Sequence, residues 1–227
     1  MSDAASHQLI GVAAVAAWLI AVVSFALAVR RHWPEQREWS RKVVHIGTGP
    51  VILLAWWAGI ERTIALPAAI TVTLATALNH RFRLLPAVED VGRQSYGTVA
   101  YGAAISLLLA LFWPSHPLAA AAGVLVMAVG DGLAGLIGPL VRSPRWCLLG
   151  QTKSLAGTAA MGTGGFAVLL LLHLGARSLD LESPPVPLLA AIALIATALE
   201  QCSSYGIDNL SVPLTTGWLW QHWATAS

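Results

Sequence analysis

The sequence predicts an all-α fold: a polytopic transmembrane helical bundle of about seven spans, in one integral membrane domain covering residues 1–227. Three observations predict it. Hydrophobic residues make up 56% of the chain and charged residues only 11%, against about a quarter in an average soluble domain, so a soluble fold would lack polar surface. Nearly uncharged runs recur along the chain at lengths near the roughly 20 residues that a bilayer crossing takes. Lys and Arg gather in alternate loops, as cytoplasmic loops of membrane proteins do.

The runs come in order. Residues 9–29 carry no charge; no base precedes them and several follow, which is the wrong polarity for a cleaved signal, so they read as a retained anchor. Residues 43–60 follow, interrupted by His45, then 63–78 and 97–113. The fifth run, 118–141, holds Asp131 in its middle; the sixth is 154–174; the seventh, 186–204, carries Glu200 near its end. Residues 207–223 suit an eighth span, a re-entrant piece or an interfacial helix. All of the 13 Lys and Arg except Arg62 and Arg177 fall in odd-numbered loops, which puts those loops in the cytosol and the N-terminus outside. Trp33, Trp39, Trp56, Trp57, Trp113 and Trp146 fall near run ends and read as interface anchors. Cys147 and Cys202 have no ligand spacing and read as small apolar fillers. A net charge of +2 is too small to suggest a nucleic-acid partner.

An ionisable side chain inside a span costs about 2.5–3.5 kcal/mol on insertion scales, so each is a candidate for function. Asp131 sits in Gly130-Asp131-Gly132-Leu133-Ala134-Gly135-Leu136-Ile137-Gly138. The flanking glycines let a backbone or phosphate approach closely. If Asp131 binds a metal, they predict a helix broken at Gly130 or Gly132, or else a cavity open to the cytosol. Ala134 and Gly138 share its helical face and extend it into a groove. The literal G-x-G-x-x-G is no dinucleotide site, because it lies in an apolar helix with no strand before it.

Lys153, Ser154, Gly157 and Thr158 open the sixth run. A lysine and hydroxyls at a helix N-terminus suit a phosphate, with an ordinary Ser cap as the plainer reading. Together with Arg142 and Arg145, Lys153 and Asp131 suit Mg²⁺ and a polyphosphate, since magnesium is held by one or two carboxylates plus substrate phosphates. Arg41, Lys42 and His45 form a basic flank, with Arg41 and His45 one turn apart. Arg93, Gly97 and Thr98 offer another phosphate contact. Glu200, Asp208 and Asn209 gather two acids and an amide, which suits a metal or a proton transfer.

The order of these clusters resembles the polyprenol kinase family, which includes phytol and dolichol kinases and is related to membrane cytidylyltransferases. The matching pieces are Ser40-Arg41-Lys42-Val43-Val44-His45, Gly97-Thr98, Gly130-Asp131-Gly132-Leu133-Ala134 through Gly138, Lys153-Ser154 with Gly157-Thr158, and Glu200 through Asp208-Asn209 to Val212-Pro213. The family often carries an acid where this chain has Ala156. The resemblance implies a CTP-dependent kinase acting on a membrane isoprenoid alcohol such as phytol, geranylgeraniol or a dolichol-like chain, at the cytosolic face of the membrane.

On that footing Gly130, Asp131, Ala134, Gly138, Arg142, Arg145, Lys153, Ser154, Gly157 and Thr158 are expected to bind the nucleotide. Arg41, Lys42, Arg93, Gly97, Thr98, Glu200 and Asn209 are expected to contact substrate or phosphate. Asp131 and Asp208 would hold Mg²⁺, and Asp131, Lys153, Asp208 and His45 would carry catalysis, His45 as a weaker candidate base. The competing expectations are a CTP:phosphatidate cytidylyltransferase and a small transporter using Asp131 and Glu200. The lack of an internal repeat argues against transport.

Overall fold

The computed structural model describes residues 3–82 and 96–225. The chain is built almost wholly of helices: α1 (Asp3–His32), α2 (Arg37–Thr48), α3 (Val51–Trp57), α4 (Arg62–Phe82), α5 (Gly97–Phe112), α6 (Pro117–Leu125), a π-helical turn (Val126–Asp131), α7 (Gly132–Leu140), α8 (Leu155–Ser178), α9 (Val186–Gln201) and α10 (Asp208–Ala224). Four stretches are long and apolar enough to cross a bilayer: Ala5–His32, Arg62–Phe82, Pro117–Leu140 and Leu155–Ser178. Helices α5 and α9 are shorter and apolar. These helices make the chain a membrane protein, and the apolar side chains that α1 and α4 leave exposed, among them Ile10, Phe25, Ile70 and Leu74, suit lipid.

The expected second span, 43–60, is two helices. Pro50 cannot donate to the helical ladder, and α2 ends before it while α3 starts after it. Helix α2 is amphipathic, burying Ser40, Lys42 and His45 rather than facing lipid. The tail, 207–223, is a single helix, α10, packed on α5 and α6 with Val212, Thr216 and Trp220 buried. One departure from the all-α expectation is a β-hairpin of β1 (Arg145–Leu148) and β2 (Gln151–Ser154). Leu149 and Gly150 close it with φ of 48° and 75°. Such paired positive values match the right-handed twist of two-residue hairpins.

The centre of the bundle is the stretch α6–π–α7. Leu118 to Leu125 are all buried. Small side chains there let neighbours come close, as in membrane helix packing generally. At Gly123 an added Cβ would overlap the carbonyl oxygen of Pro213 on α10. Helix α8 packs on both the π turn and α7, and a Cβ at Gly130 would stand 2.6 Å from the Met161 sulfur. The interfacial reading of the tryptophans fits Trp57, 86% exposed, but not Trp113, which is buried and donates its ring N–H to the Ile60 carbonyl at 2.9 Å. Cys147 and Cys202 are free thiols on exposed residues, not apolar fillers.

Candidate active site

Asp131 ends the π turn, and two side chains of α2 meet it. Lys42 and His45 are three residues apart, so they share one face of their helix. Lys42 Nζ lies 2.5 Å from Asp131 Oδ2 and donates to the Asp131 carbonyl at 3.0 Å. His45 Nε2 lies 3.2 Å from Asp131 Oδ2 and 3.2 Å from the Met127 carbonyl oxygen. Facing two acceptors, that nitrogen carries the proton. Helix α2 sits close because α7 offers it glycines; a Cβ at Gly132 would overlap Ile46. Tyr101 of α5 lies over His45 with ring centroids 4.5 Å apart and donates to the Val124 carbonyl at 3.2 Å. The helix is therefore not broken at Gly130 or Gly132 but widened, and side chains of α2 occupy two carbonyls of the widened turn, Met127 and Asp131.

The hairpin brings a second lysine. Lys153 pairs with the Glu200 carboxylate and donates to the Glu200 carbonyl at 2.9 Å, at the end of α9. Gln201 extends the network, its amide nitrogen reaching Glu200 Oε2 at 2.6 Å and Thr158 Oγ1 at 3.0 Å. Five residues, 203–207, separate the Cys202 cap of α9 from the next helix, which starts at Asp208, whose Oδ1 accepts from Asn209 N and Nδ2, both at 3.1 Å. The outcome is a carboxylate cluster: one oxygen each from Asp131, Glu200 and Asp208, all within 4.8 Å of one another. Three carboxylate oxygens at that spacing suit a hard cation, and the two lysines on their flanks suit phosphate.

Other expected residues fall around this centre. Ser154 caps α8, and the N–H groups of Leu155, Ala156 and Gly157 are already taken by Pro144 O, Ser143 Oγ and Ser154 Oγ. The helix start thus offers no open N–H groups at these three positions. Gly138 and Gly157 form a close helix contact beside Ser154, with the Gly138 Cα only 3.4 Å from where a Gly157 Cβ would stand. Ala134 lines the same contact, its carbonyl 3.2 Å from that point. Arg41 pairs locally with Glu38 at 2.9 Å, Arg142 is exposed just before the hairpin and Arg145 is exposed as its first residue. Gly97 and Thr98 start α5 next to the loop that leads into Asp208, since Tyr96 N donates to Tyr205 O at 3.2 Å. Arg93 lies outside the described residues. Sequence reasoning passed over Tyr101 and Gln201; the signal for Gln201 was a polar amide directly after Glu200 at the end of an apolar run.

Comparison with known proteins places the chain in a family. No protein-family model matches the chain, and no solved structure does. Among curated proteins, the chain is 38% identical to the phytol kinase of Synechocystis sp. over 208 residues, covering 90% of this chain and 88% of that protein. It is 30% identical to the probable chloroplastic phytol kinase 1 of Glycine max, covering 80% of this chain and 65% of that one. It is 28% identical to the chloroplastic phytol kinase 1 of Arabidopsis thaliana, covering 86% and 69%. At that identity and coverage, the chain belongs to the phytol kinase family.

Proposed function

We propose that this protein transfers the terminal phosphoryl group of CTP to the hydroxyl of a membrane isoprenoid alcohol of the phytol class, at the cytosolic face of the membrane. The observation that carries the reading is the cluster of Asp131, Glu200 and Asp208 flanked by Lys42 and Lys153 in a chain whose relatives are phytol kinases. Phosphoryl transfer needs little covalent help from the protein; positioning and charge stabilisation dominate.

Asp131 and Asp208, with Glu200 beside them, are the residues that would hold Mg²⁺. When bound, the ion supplies charge neutralisation across the phosphate oxygens. Lys42 and Lys153 stand at the two flanks of the cluster, each within reach of anionic oxygens, and offset charge on the phosphoryl group in transit. The alcohol oxygen bonds to the γ-phosphorus, the bond from that phosphorus to the β–γ bridging oxygen breaks, and CDP departs. The hydroxyl proton passes to the oxygen of the Asp208 carboxylate that would not hold the ion, and Asp208 suits this role because among the described residues no lysine pairs with it. His45, with its Nε2 proton pointed at Asp131 and Met127, is better suited to orienting Asp131 than to accepting a proton. Arg142, exposed just before the hairpin, and Arg145, exposed at its start, suit the outer phosphates of the nucleotide. Asn209 holds the Asp208 carboxylate, and Gly97 and Thr98 start α5 beside the loop that leads into it.

The test is purified protein in lipid nanodiscs, incubated with labelled CTP or ATP and with phytol, geranylgeraniol or dolichol. The expected result is a phosphorylated alcohol with release of CDP. Pyrophosphate release with phosphatidate would instead identify a cytidylyltransferase, and no phosphorylated lipid from any pairing overturns the kinase reading. Wild-type turnover by Lys153→Ala would remove that lysine from the chemistry.

A further inference from the structure

Gly135 lies four residues after Asp131, on the same side of α7, and faces α2. A Cβ built on it would overlap Cε of Lys42 and stand 2.7 Å from Nζ and 3.4 Å from Cδ. Lys42 is 3% exposed, its stem packed along the contact between α2 and α7. It runs over the bare backbone at Gly135 and ends on Asp131, with Nζ 2.5 Å from Oδ2 and 3.0 Å from the carbonyl oxygen. The two glycines of α7 that face α2 divide the contact: Gly132 receives the hydrocarbon of Ile46, and Gly135 receives the charged stem of Lys42.

We infer that Gly135 is a positioning residue for phosphoryl transfer: its missing side chain is the passage through which Lys42 reaches Asp131, and any side chain there drives the ammonium off the carboxylate. The inference rests on the kinase reading given above. Its geometry is specific in one respect. The atoms that an alanine would meet first belong to the flexible end of a lysine, not to backbone, so the conflict is relieved by moving Lys42 rather than by parting the helices. Alanine is also the better helix former, so the substitution favours α7 itself. A loss of activity from Gly135→Ala therefore reports on Lys42.

The experiment is a double-mutant cycle on nanodisc-reconstituted protein with CTP and phytol, comparing wild type, Gly135→Ala, Lys42→Ala and the double variant. Gly135→Ala is expected to lower kcat/KM for the nucleotide by about 100-fold, the scale of losing one preorganised charge contact, while KM for the alcohol stays within about twofold. In the Lys42→Ala background, where the stem is gone, Gly135→Ala is expected to change turnover by less than about twofold. Equal losses in both backgrounds, or near wild-type turnover of Gly135→Ala, overturn the inference. If Gly135→Ala alone does not fold, a double variant as stable as Lys42→Ala alone supports the inference, and one less stable than Lys42→Ala overturns it. Absence of turnover in the wild type overturns the kinase reading instead, so the two failures are separable.

Discussion

Asp131 is held at Oδ2 by Lys42 and His45, and its contributions to stability and to turnover separate by mutation. Its partner Lys42 has a side chain only 4% exposed. Removing one member of a buried ion pair strands the other, at a cost of about 3–5 kcal/mol. Asp131→Asn is therefore expected to lower the thermal unfolding midpoint of the solubilised protein and, on the proposed mechanism, to cut turnover by about 1000-fold, since it removes a charge from the proposed metal and phosphate site. Adding Lys42→Met removes the stranded charge, so the midpoint should recover while turnover stays lost. A double variant as unstable as Asp131→Asn alone would mean that the pair is not what stabilises this corner. The pair was only half legible in the sequence. A carboxylate inside an apolar run announces itself, but Lys42 lies 89 positions away in a flank that reads as ordinary positive-inside charge. Nothing local in the sequence names that partner.

At the scale of elements, the carboxylates meet because helix axes lie close, and the closeness is set by small residues remote from the charges. Gly123 shows this. A side chain there would overlap the Pro213 carbonyl on α10, the helix that begins with Asp208, and would press on Leu108 of α5 at 2.9 Å. Backbone cannot step aside as the end of a lysine can. Gly123→Val is expected to destabilise the bundle by about 1–3 kcal/mol, the usual cost of overpacking, and to lower turnover by shifting Asp208. An unchanged midpoint in thermal unfolding would show that α6 and α10 part without cost. The helices themselves were legible from apolar runs, but residues 43–60 read as one span because an apolar run is counted by hydropathy and the signal for its break, Pro50, is itself uncharged. The hairpin was not, because Leu149-Gly150 lacks the Asn or Asp that usually marks a two-residue turn, and Arg145 to Ser154 reads as a cytosolic loop. The π turn was legible only as an irregularity: glycines around Asp131 pointed to a broken helix, whereas tertiary contacts from α2 keep it wound but wide.

Taken whole, the molecule puts its charged chemistry at one end. Lys153 arrives on the hairpin, Glu200 stands at the end of α9 and Asp208 at the start of α10. The proposal that this end faces the cytosol rests on the bias of Lys and Arg, and the two cysteines test it. Cys147 lies on β1 opposite Thr152, next to Lys153, and Cys202 lies two residues beyond Glu200. Both are free and exposed, and they are the only 2 cysteines of the chain. A charged maleimide that cannot cross a bilayer is therefore expected to label neither in right-side-out vesicles and both in inverted ones. Single variants Cys147→Ser and Cys202→Ser assign the two signals. Labelling from the outer side would reverse the orientation and place the lipid-phosphorylating face away from the nucleotide pool. Labelling of one cysteine from each side would mean that α9 and the hairpin do not share an end in the membrane, which would separate Lys153 from Glu200 and dismantle the cluster itself.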